Sequence, residues 1–175
     1  MPDIFFKQRK NIRLRDYDYS SPGAYRVTIC ANERQQRLFG TLNNGSIELS
    51  KIGRLVENRW LAIPNHFSGV SLDAWIIMPD HVHGILLFEL NESGEACLAP
   101  TTTPGLSEIP SLGTVIGSFK SAVSRDARKL GISNSTLWQR GYFEHVIRNQ
   151  HDLECAREYI ALNPHRLHQE HEKCP

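Results

Sequence analysis

The sequence predicts an α+β fold, in which an antiparallel sheet carries helices packed mainly on one face. The main observation is the order of the elements, which reads strand, hairpin, helix, two strands, helix, strand, helix. Two of the predicted strands, 72–78 and 81–87, are separated only by Pro79-Asp80, a tight turn that favours antiparallel pairing. The chain has 175 residues, of which 40% are hydrophobic, enough for one domain with its own core.

The predicted strands are short runs rich in β-branched and aromatic residues. In the first of them, Tyr25, Val27 and Ile29 alternate with polar residues, which is typical of a half-buried strand. A hairpin is predicted within 39–49, because Asn43-Asn44-Gly45 lies between two extended runs and these residue types tolerate positive φ. Outside this hairpin the predicted strands are residues 24–30, 72–78, 81–87 and 144–149.

The predicted helices have apolar residues three and four positions apart. Ser50 is expected to cap a helix over residues 51–63, and a second helix covers 112–130. A third is predicted over 152–162 and is expected to end at Pro164. Residues 91–110 lack periodicity and are rich in Gly, Pro, Ser and Thr, so we expect a flexible insertion within a single domain spanning 1–175.

Charge and cysteine usage exclude several classes of protein. The formal net charge is only +1, so binding of nucleic acid would have to depend on local clusters of basic residues. The four cysteines show no metal-binding spacing, and no apolar run approaches the roughly 18 residues of a membrane span. The N-terminal residues do not follow the order of a secretory signal, so the expected location is the cytoplasm.

The most specific feature of the sequence is His81-Val82-His83 on a predicted strand. Residues two apart on a strand point to the same face, so both imidazoles project together while Val82 points the other way. Two neighbouring imidazoles can supply two ligands to one divalent metal. The alternative interpretation is a solvated histidine pair on the polar face of the strand.

Tyr159 and Asn163 lie four residues apart on the last predicted helix and therefore share one face of it. A tyrosine hydroxyl can attack phosphorus once its proton is removed, and the Asn163 amide oxygen would suit Mg²⁺ or Mn²⁺ as a third ligand. The alternative is that Tyr159 packs against the sheet and that Asn163 only marks the end of the helix.

Basic residues interleaved with aromatic ones indicate a surface for single-stranded DNA, since cations neutralise phosphates and flat rings stack on unpaired bases. Trp138, Tyr142 and Phe143 are the aromatic residues of this pattern, although all three could equally belong to the core. The candidate DNA-binding residues are Arg13, Arg15, Lys120, Arg125, Arg140 and Arg148. His145, beside them, could serve the site or be a structural residue.

Three segments together resemble the HUH single-tyrosine transposases, and among these the REP-associated tyrosine transposases of bacteria. They are WIIMPDHVHGILL at 75–87, LGTVIGSFKSAV at 112–123 and LWQRGYFEHVIRNQHDLECAREYIALNP at 137–164. The resemblance implies a ferredoxin-like fold, a metal on His81 and His83 with Asn163 as a further ligand, and Tyr159 as the nucleophile. It also implies divalent Mg²⁺ or Mn²⁺ as cofactor, single-stranded DNA with hairpin-forming repeats as partner, and action as a monomer or a homodimer.

The activity implied by the resemblance is nicking and strand transfer of single-stranded DNA through a 5′-phosphotyrosine. Two other functions are compatible with the same residues: a non-catalytic nucleic-acid-binding module, and a His-x-His metal-dependent phosphodiesterase that uses water. A 2H-type phosphoesterase needs two H-x-[ST] motifs, and this sequence has one, His66-Phe67-Ser68.

Overall fold

The computed structural model describes residues 18–19, 21–32, 37–43, 46–90, 109–132 and 136–172, with side chains as far as Pro164. The strands are β1 (Gly23–Cys30), β2 (Gly40–Asn43), β3 (Ser46–Leu49), β4 (Val70–Ile77), β5 (His81–Phe88) and β6 (Phe143–Ile147). The helices are α1 (Lys51–Leu61), α2 (Ile63–His66), α3 (Leu112–Lys129) and α4 (Gln150–Glu172). The predicted insertion at 91–110 lies outside the described residues except for its last two positions.

Four strands form one antiparallel sheet in the order β4-β5-β1-β6, and β2 pairs with β3 in a separate hairpin. Without that hairpin and the last helix, the chain runs β-α-β-β-α-β apart from the short α2, which is the ferredoxin-like arrangement that the motifs imply. The central strands β1 and β5 pair in register from Gly23 opposite Phe88 to Cys30 opposite His81. The predicted α+β class and the predicted antiparallel sheet are confirmed.

The two faces of the sheet carry different helices. Helices α1 and α3 pack on one face and enclose the larger core, which includes Val27, Trp60 and Phe119. Helix α4 covers the other face with a smaller cluster built on Ile85 and Ile160. Two of the three longer helices therefore share one face, as predicted, and the helix that carries Tyr159 lies alone on the opposite one among the described helices.

Gly84 allows helix α1 to approach strand β5 closely. A Cβ atom at this position would lie 2.2 Å from Cζ2 of the buried Trp60 ring, well inside van der Waals contact. The Trp60 ring is held in turn by Phe119 of α3, with ring centroids 5.3 Å apart. Gly84, the residue after His83 on the strand, is thus held by two packed aromatic rings on the face that carries α1 and α3.

Helix boundaries account for the differences between prediction and structure. Ser50 caps α1 as predicted, with its Oγ accepting a hydrogen bond from the Gly53 N–H at 3.0 Å. The predicted helix 51–63 is interrupted at Ala62, because Pro64 has no N–H to bond to the Trp60 carbonyl and instead occupies the first turn of the short α2.

Pro164 does not end the last helix, and that prediction was wrong. Helix α4 continues through it to Glu172. A proline inside a helix removes one hydrogen bond, which a long helix can lose while the turns on either side keep theirs. The helix also begins two residues before the predicted start, because the Asn149 side chain accepts a hydrogen bond from the Asp152 N–H at 2.9 Å and caps it.

Candidate active site

His81 and His83 lie side by side on β5, on the face of the sheet that α4 covers. Their ring centroids are 4.5 Å apart, and their Nε2 atoms face each other at 2.9 Å. His83 is only 4% exposed and is the sole polar or charged residue among the buried residues that the structure describes. The strand geometry therefore brings the two imidazoles together as the sequence predicts.

The outer nitrogen of each imidazole has a hydrogen-bond partner. Nδ1 of His81 lies 2.6 Å from a carboxylate oxygen of Asp80, and Nδ1 of His83 lies 2.8 Å from the hydroxyl of Thr28. Thr28 is placed opposite His83 by the register between β1 and β5. A carboxylate can only accept, so His81 carries its proton on Nδ1 and turns the Nε2 lone pair towards His83.

The pair fits a divalent metal. Two nitrogen ligands at about 2.1 Å from one ion, at a right angle, are about 3.0 Å apart, close to the observed 2.9 Å between the Nε2 atoms. Outer-nitrogen partners such as Asp80 and Thr28 are what orients ligating histidines in metal sites. For both Nε2 atoms to be free of protons, His83 would have to carry its proton on Nδ1, with Thr28 accepting instead of donating.

Among the described residues, a further ligand would have to be something other than a His, Cys, Asp or Glu side chain. Within the described ranges, no three His, Cys, Asp or Glu side chains lie close enough together to hold a metal ion. The half-buried Asn163, four residues after Tyr159 on α4, is an amide of the type that hard cations accept. A phosphate oxygen of a substrate would be a ligand of the same hard type.

Tyr159 contacts His83 of the histidine pair within the same chain. Its half-buried ring packs edge-to-face on His83, with centroids 5.3 Å apart. The guanidinium carbon of Arg26, on β1, lies over the Tyr159 ring at 5.0 Å from its centroid. A phenol, two imidazoles and a guanidinium therefore converge on one part of the sheet surface.

Helix α4 is fastened to both edge strands. At its first turn, the Asp152 carboxylate binds Nε2 of His145 on β6 at 3.0 Å. This hydrogen bond is the main reason that the pKa of Asp152 lies below its ordinary value. In the middle of the helix, Arg157 binds the Asp73 carboxylate of β4 through Nε at 2.8 Å and a terminal nitrogen at 2.5 Å. The described contacts give His145 a structural role.

The Asp73–Arg157 pair makes the anchoring of α4 dependent on pH. The hydrogen bond from Arg157 is the main cause that lowers the pKa of Asp73, and partial burial of the carboxyl opposes it. A lowered pKa stabilises the folded state above the ordinary aspartate value of about 3.9, and this stabilisation is lost as the pH falls through the folded-state pKa. We therefore expect Asp73→Asn to lower the urea midpoint at pH 7, and this effect to shrink as the pH falls below the ordinary aspartate range and through the lowered folded-state pKa.

A double-mutant cycle with Arg157→Gln checks this prediction. At pH 7 the double variant should be no less stable than the less stable of the two single variants, because either change alone removes the interaction. Strictly additive losses would contradict a direct pair and would indicate that each side chain acts separately.

The predicted DNA-binding residues are spread over different parts of the fold. Arg140 and Arg148 are exposed on the segments that flank β6, whereas the exposed Arg125 lies on α3, which packs on the opposite face of the sheet. The Lys120 ammonium donates hydrogen bonds to the carbonyls of Gln139 and Gly141, so it supports the loop that carries Arg140. Arg13 and Arg15 lie outside the described residues.

The aromatic residues of the same segment also differ in location. Trp138 is buried in the larger core and donates its indole N–H to the Lys120 carbonyl at 3.1 Å. Phe143 is 42% exposed on the edge strand β6, on the face that α4 covers, because it alternates with Glu144 and shares a face with His145. Of the described aromatic residues in this segment, Phe143 is therefore the most exposed.

Arg26, Thr28 and Asp80 belong to the site and were not among the predicted site residues. The alternation of the first strand carries the signal for two of them. Arg26 and Thr28 are its polar positions, and both point to the face opposite Tyr25 and Val27. Asp80 directly precedes the histidine pair and was assigned only to the turn.

Comparison with known proteins places the chain in a family. No family model matches the sequence. A protein of Haemophilus influenzae described only as uncharacterized is 36% identical over 164 residues, which cover 89% of this chain and 88% of that protein. The chain belongs to the same family as this Haemophilus protein.

The fold is similar to that of a tyrosine transposase of known structure. The structure of a REP-associated tyrosine transposase bound to a REP hairpin superposes with a TM-score of 0.55 at 17% identity, over 86% of this chain and 71% of that one. This confirms, at the level of fold, the resemblance to the HUH transposases that the motifs indicate. A proposed transposase of Deinococcus radiodurans gives a TM-score of 0.46 at 17% identity, over 84% of this chain and 93% of that one, which is too low to support an argument.

None of the helices in the described ranges has the length and apolar character of a membrane span.

Proposed function

We propose that this member of the family is a metal-dependent tyrosine endonuclease and strand transferase that acts on single-stranded DNA beside hairpin-forming repeats. The observation that carries the proposal is the contact of the Tyr159 ring with His83, whose Nε2 faces that of His81. A phenol next to two converging imidazoles is suited to attack on a phosphodiester and has no evident use in a purely structural surface.

The chemistry follows from the placement of the residues. The Tyr159 oxygen attacks the phosphorus in line and forms an O–P bond as the bond to the 3′ oxygen breaks; the phenol releases its proton to the solvent, and the leaving 3′ oxygen takes one up. The products are a 5′-phosphotyrosine and a strand that ends in a 3′-hydroxyl. The phosphotyrosine keeps a phosphodiester bond, so a second 3′-hydroxyl can reverse the step and join strands without a nucleotide cofactor.

A divalent ion, Mg²⁺ or Mn²⁺, held by His81, His83 and Asn163, would supply positive charge against the charge that develops on the phosphate. The second interaction of each imidazole, with Asp80 or Thr28, keeps its ring in the orientation that such a ligand needs. The edge of the His83 ring also restricts where the Tyr159 phenol can move.

We expect the affinity for Mn²⁺ to depend more strongly on His83 than on Asp80. Asp80→Asn should weaken Mn²⁺ binding by about 10-fold to 100-fold, and His83→Ala by more than that, because it removes a ligand rather than its support. Calorimetric titration of each variant with Mn²⁺ measures the change without any DNA present. The matched control is His66→Ala, an exposed histidine on α2, which should leave the affinity unchanged. Equal effects of His66→Ala and His83→Ala would contradict the assignment.

The substrate is proposed to be unpaired DNA next to a folded hairpin. The structure with the same fold was determined with a REP hairpin bound. In this chain the exposed Arg140, Phe143 and Arg148 lie around β6, where cations and a flat ring could hold an unpaired strand. Bases in a duplex would shield the scissile phosphate, so the strand has to be single at the point of cleavage.

We further propose that one chain suffices for the reaction and that residues 1–175 act as one catalytic domain with an insertion at 91–110. The contact between Tyr159 and His83 lies within one chain, which supports a site that needs no second copy. An enzyme with this substrate would act in the bacterial cytoplasm, on the nucleoid.

The test uses a hairpin oligonucleotide with single-stranded flanks, labelled at either its 5′ or its 3′ end and incubated with the protein and Mn²⁺ or Mg²⁺. The proposal predicts that only the 3′ label shifts with the protein on a denaturing gel, while the 5′ label appears on a shorter free strand. Peptide mapping should place the adduct on Tyr159. Cleavage without any adduct would favour a hydrolase that uses water, and binding without cleavage would favour a binding module.

A further inference from the structure

Arg26 occupies the part of the site that lies away from the two metal-binding candidates. It is a half-buried residue in the middle of β1, on the face covered by α4, and lies opposite Ile85 on β5 and His145 on β6. Its guanidinium lies over the Tyr159 ring, whose other close aromatic contact is the edge-to-face packing with His83. The phenol is therefore positioned by a cation and by an imidazole.

The charge of Arg26 is only partly compensated. In the described part of the chain no carboxylate forms a salt bridge with it, and its charge makes only a minor contribution to the lowered pKa of Asp152, whose main partner is His145. Removing a guanidinium from water costs free energy unless an anion or hydrogen-bond acceptors replace the lost water. Elsewhere on the same face, Arg157 is paired through two nitrogens with Asp73.

We propose that Arg26 binds the phosphodiester on which Tyr159 acts, an inference that rests on the proposed function. A guanidinium presents two parallel N–H groups that match two phosphate oxygens, and its stacking on the Tyr159 ring holds the phenol beside the same phosphate. During the transfer the O–P bond to Tyr159 forms and the bond to the 3′ oxygen breaks. Arg26 keeps its proton throughout and acts by charge and position.

This role differs from that of a residue that merely packs. A packing residue would support the Tyr159 ring through the aliphatic stem and the face of the guanidinium alone, and its replacement would not change the number of phosphates that the protein neutralises. A phosphate-binding residue contributes to the salt dependence of DNA binding, because each neutralised phosphate releases condensed counterions. Salt dependence therefore separates the two roles.

The experiment measures the anisotropy of a labelled hairpin oligonucleotide with single-stranded flanks, over a series of salt concentrations. All proteins carry Tyr159→Phe, which keeps the ring under Arg26 and prevents any reaction. Arg26→Gln should weaken binding about 10-fold and reduce the slope of log K against log salt by about 0.7, the value for one phosphate of a single strand. Arg26→Lys should keep the slope, since it keeps the charge.

Two further variants make the result specific. Arg54→Gln removes an exposed arginine of α1, on the opposite side of the sheet, and should leave affinity and slope unchanged. Arg26→Met keeps the unbranched apolar stem, so it replaces Arg26→Gln if that variant fails to fold, as judged by its thermal unfolding. An unchanged slope in a folded Arg26→Gln or Arg26→Met protein would overturn the proposal.

The reaction provides a second readout. With Tyr159 restored and DNA saturating, Arg26→Gln should slow adduct formation about 10-fold to 100-fold, and Arg26→Lys should recover part of the rate. If the wild-type protein forms no adduct, the proposed function fails, while the salt dependence still decides whether Arg26 binds a phosphate.

Discussion

Replacing Tyr159 by phenylalanine should abolish the covalent protein–DNA product. A phenyl ring has no oxygen that could attack phosphorus, so we expect the rate of adduct formation to fall by at least about a thousandfold. The ring itself remains, and with it the edge-to-face contact with His83 and the contact with Arg26. DNA binding, measured by anisotropy in the presence of Mn²⁺, should therefore change by less than about twofold, because the side chain loses only its hydroxyl.

The matched control is Tyr142→Phe. Tyr142 is another half-buried tyrosine, just before β6, and it should keep forming the adduct at close to the wild-type rate. An adduct that persists in Tyr159→Phe would show that another residue is the nucleophile. Loss of DNA binding together with the adduct would show that the hydroxyl serves the fold of the site, and the assignment would again be wrong.

Gly53→Ala should be the most destabilising of the single-methyl additions considered for this chain. Gly53 lies in the first turn of α1, where an added Cβ atom would sit 1.9 Å from the Phe39 carbonyl oxygen and 3.2 Å from a Leu49 methyl group. The nearest atom belongs to the backbone and cannot rotate away, so the whole helix start would have to move off the hairpin. We expect a loss of about 3 kcal/mol or more in the free energy of unfolding.

Gly117→Ala provides the comparison, because it adds the same methyl group to a helix. Gly117 is exposed on α3, and nothing lies within 4 Å of an added Cβ atom. Alanine at this position should increase stability by about 0.5–1 kcal/mol through its better helix propensity. Urea unfolding of both variants checks the pair. Similar effects of the two substitutions would contradict the tight packing of α1 on Phe39.

The fold could be predicted largely from local patterns. Strand β1 alternates along its length, and the hairpin β2–β3 is specified by the Asn-Gly pair between its strands, so both follow from a few adjacent residues. The helix ends depend on finer competition. Pro64 interrupts the first predicted helix at Ala62, two residues earlier, whereas Pro164 is accommodated within α4. A proline signal alone does not tell these two outcomes apart, because the packing around each helix decides how well the lost hydrogen bond is tolerated.

The site could be predicted only where its residues are close in sequence. The shared face of His81 and His83 follows from the period of a strand. Their meeting with Tyr159 was suggested by resemblance, and the structure brings the Tyr159 ring to His83. The contribution of Thr28 depends on which strands are neighbours and in which register, and neither can be read from local patterns. The Asp73–Arg157 pair joins residues 84 positions apart, so no local pattern could have indicated it.

The core is divided unequally between the two faces of the sheet, and this has a consequence for the candidate site. Most of the buried apolar side chains lie beneath the sheet with α1 and α3, whereas the reactive groups lie above it, under one helix fastened by a few polar contacts. The packing that stabilises the fold and the candidate reactive groups thus lie on opposite faces of the sheet. The face covered by α4 can therefore vary in sequence without loss of the packing that keeps the chain folded.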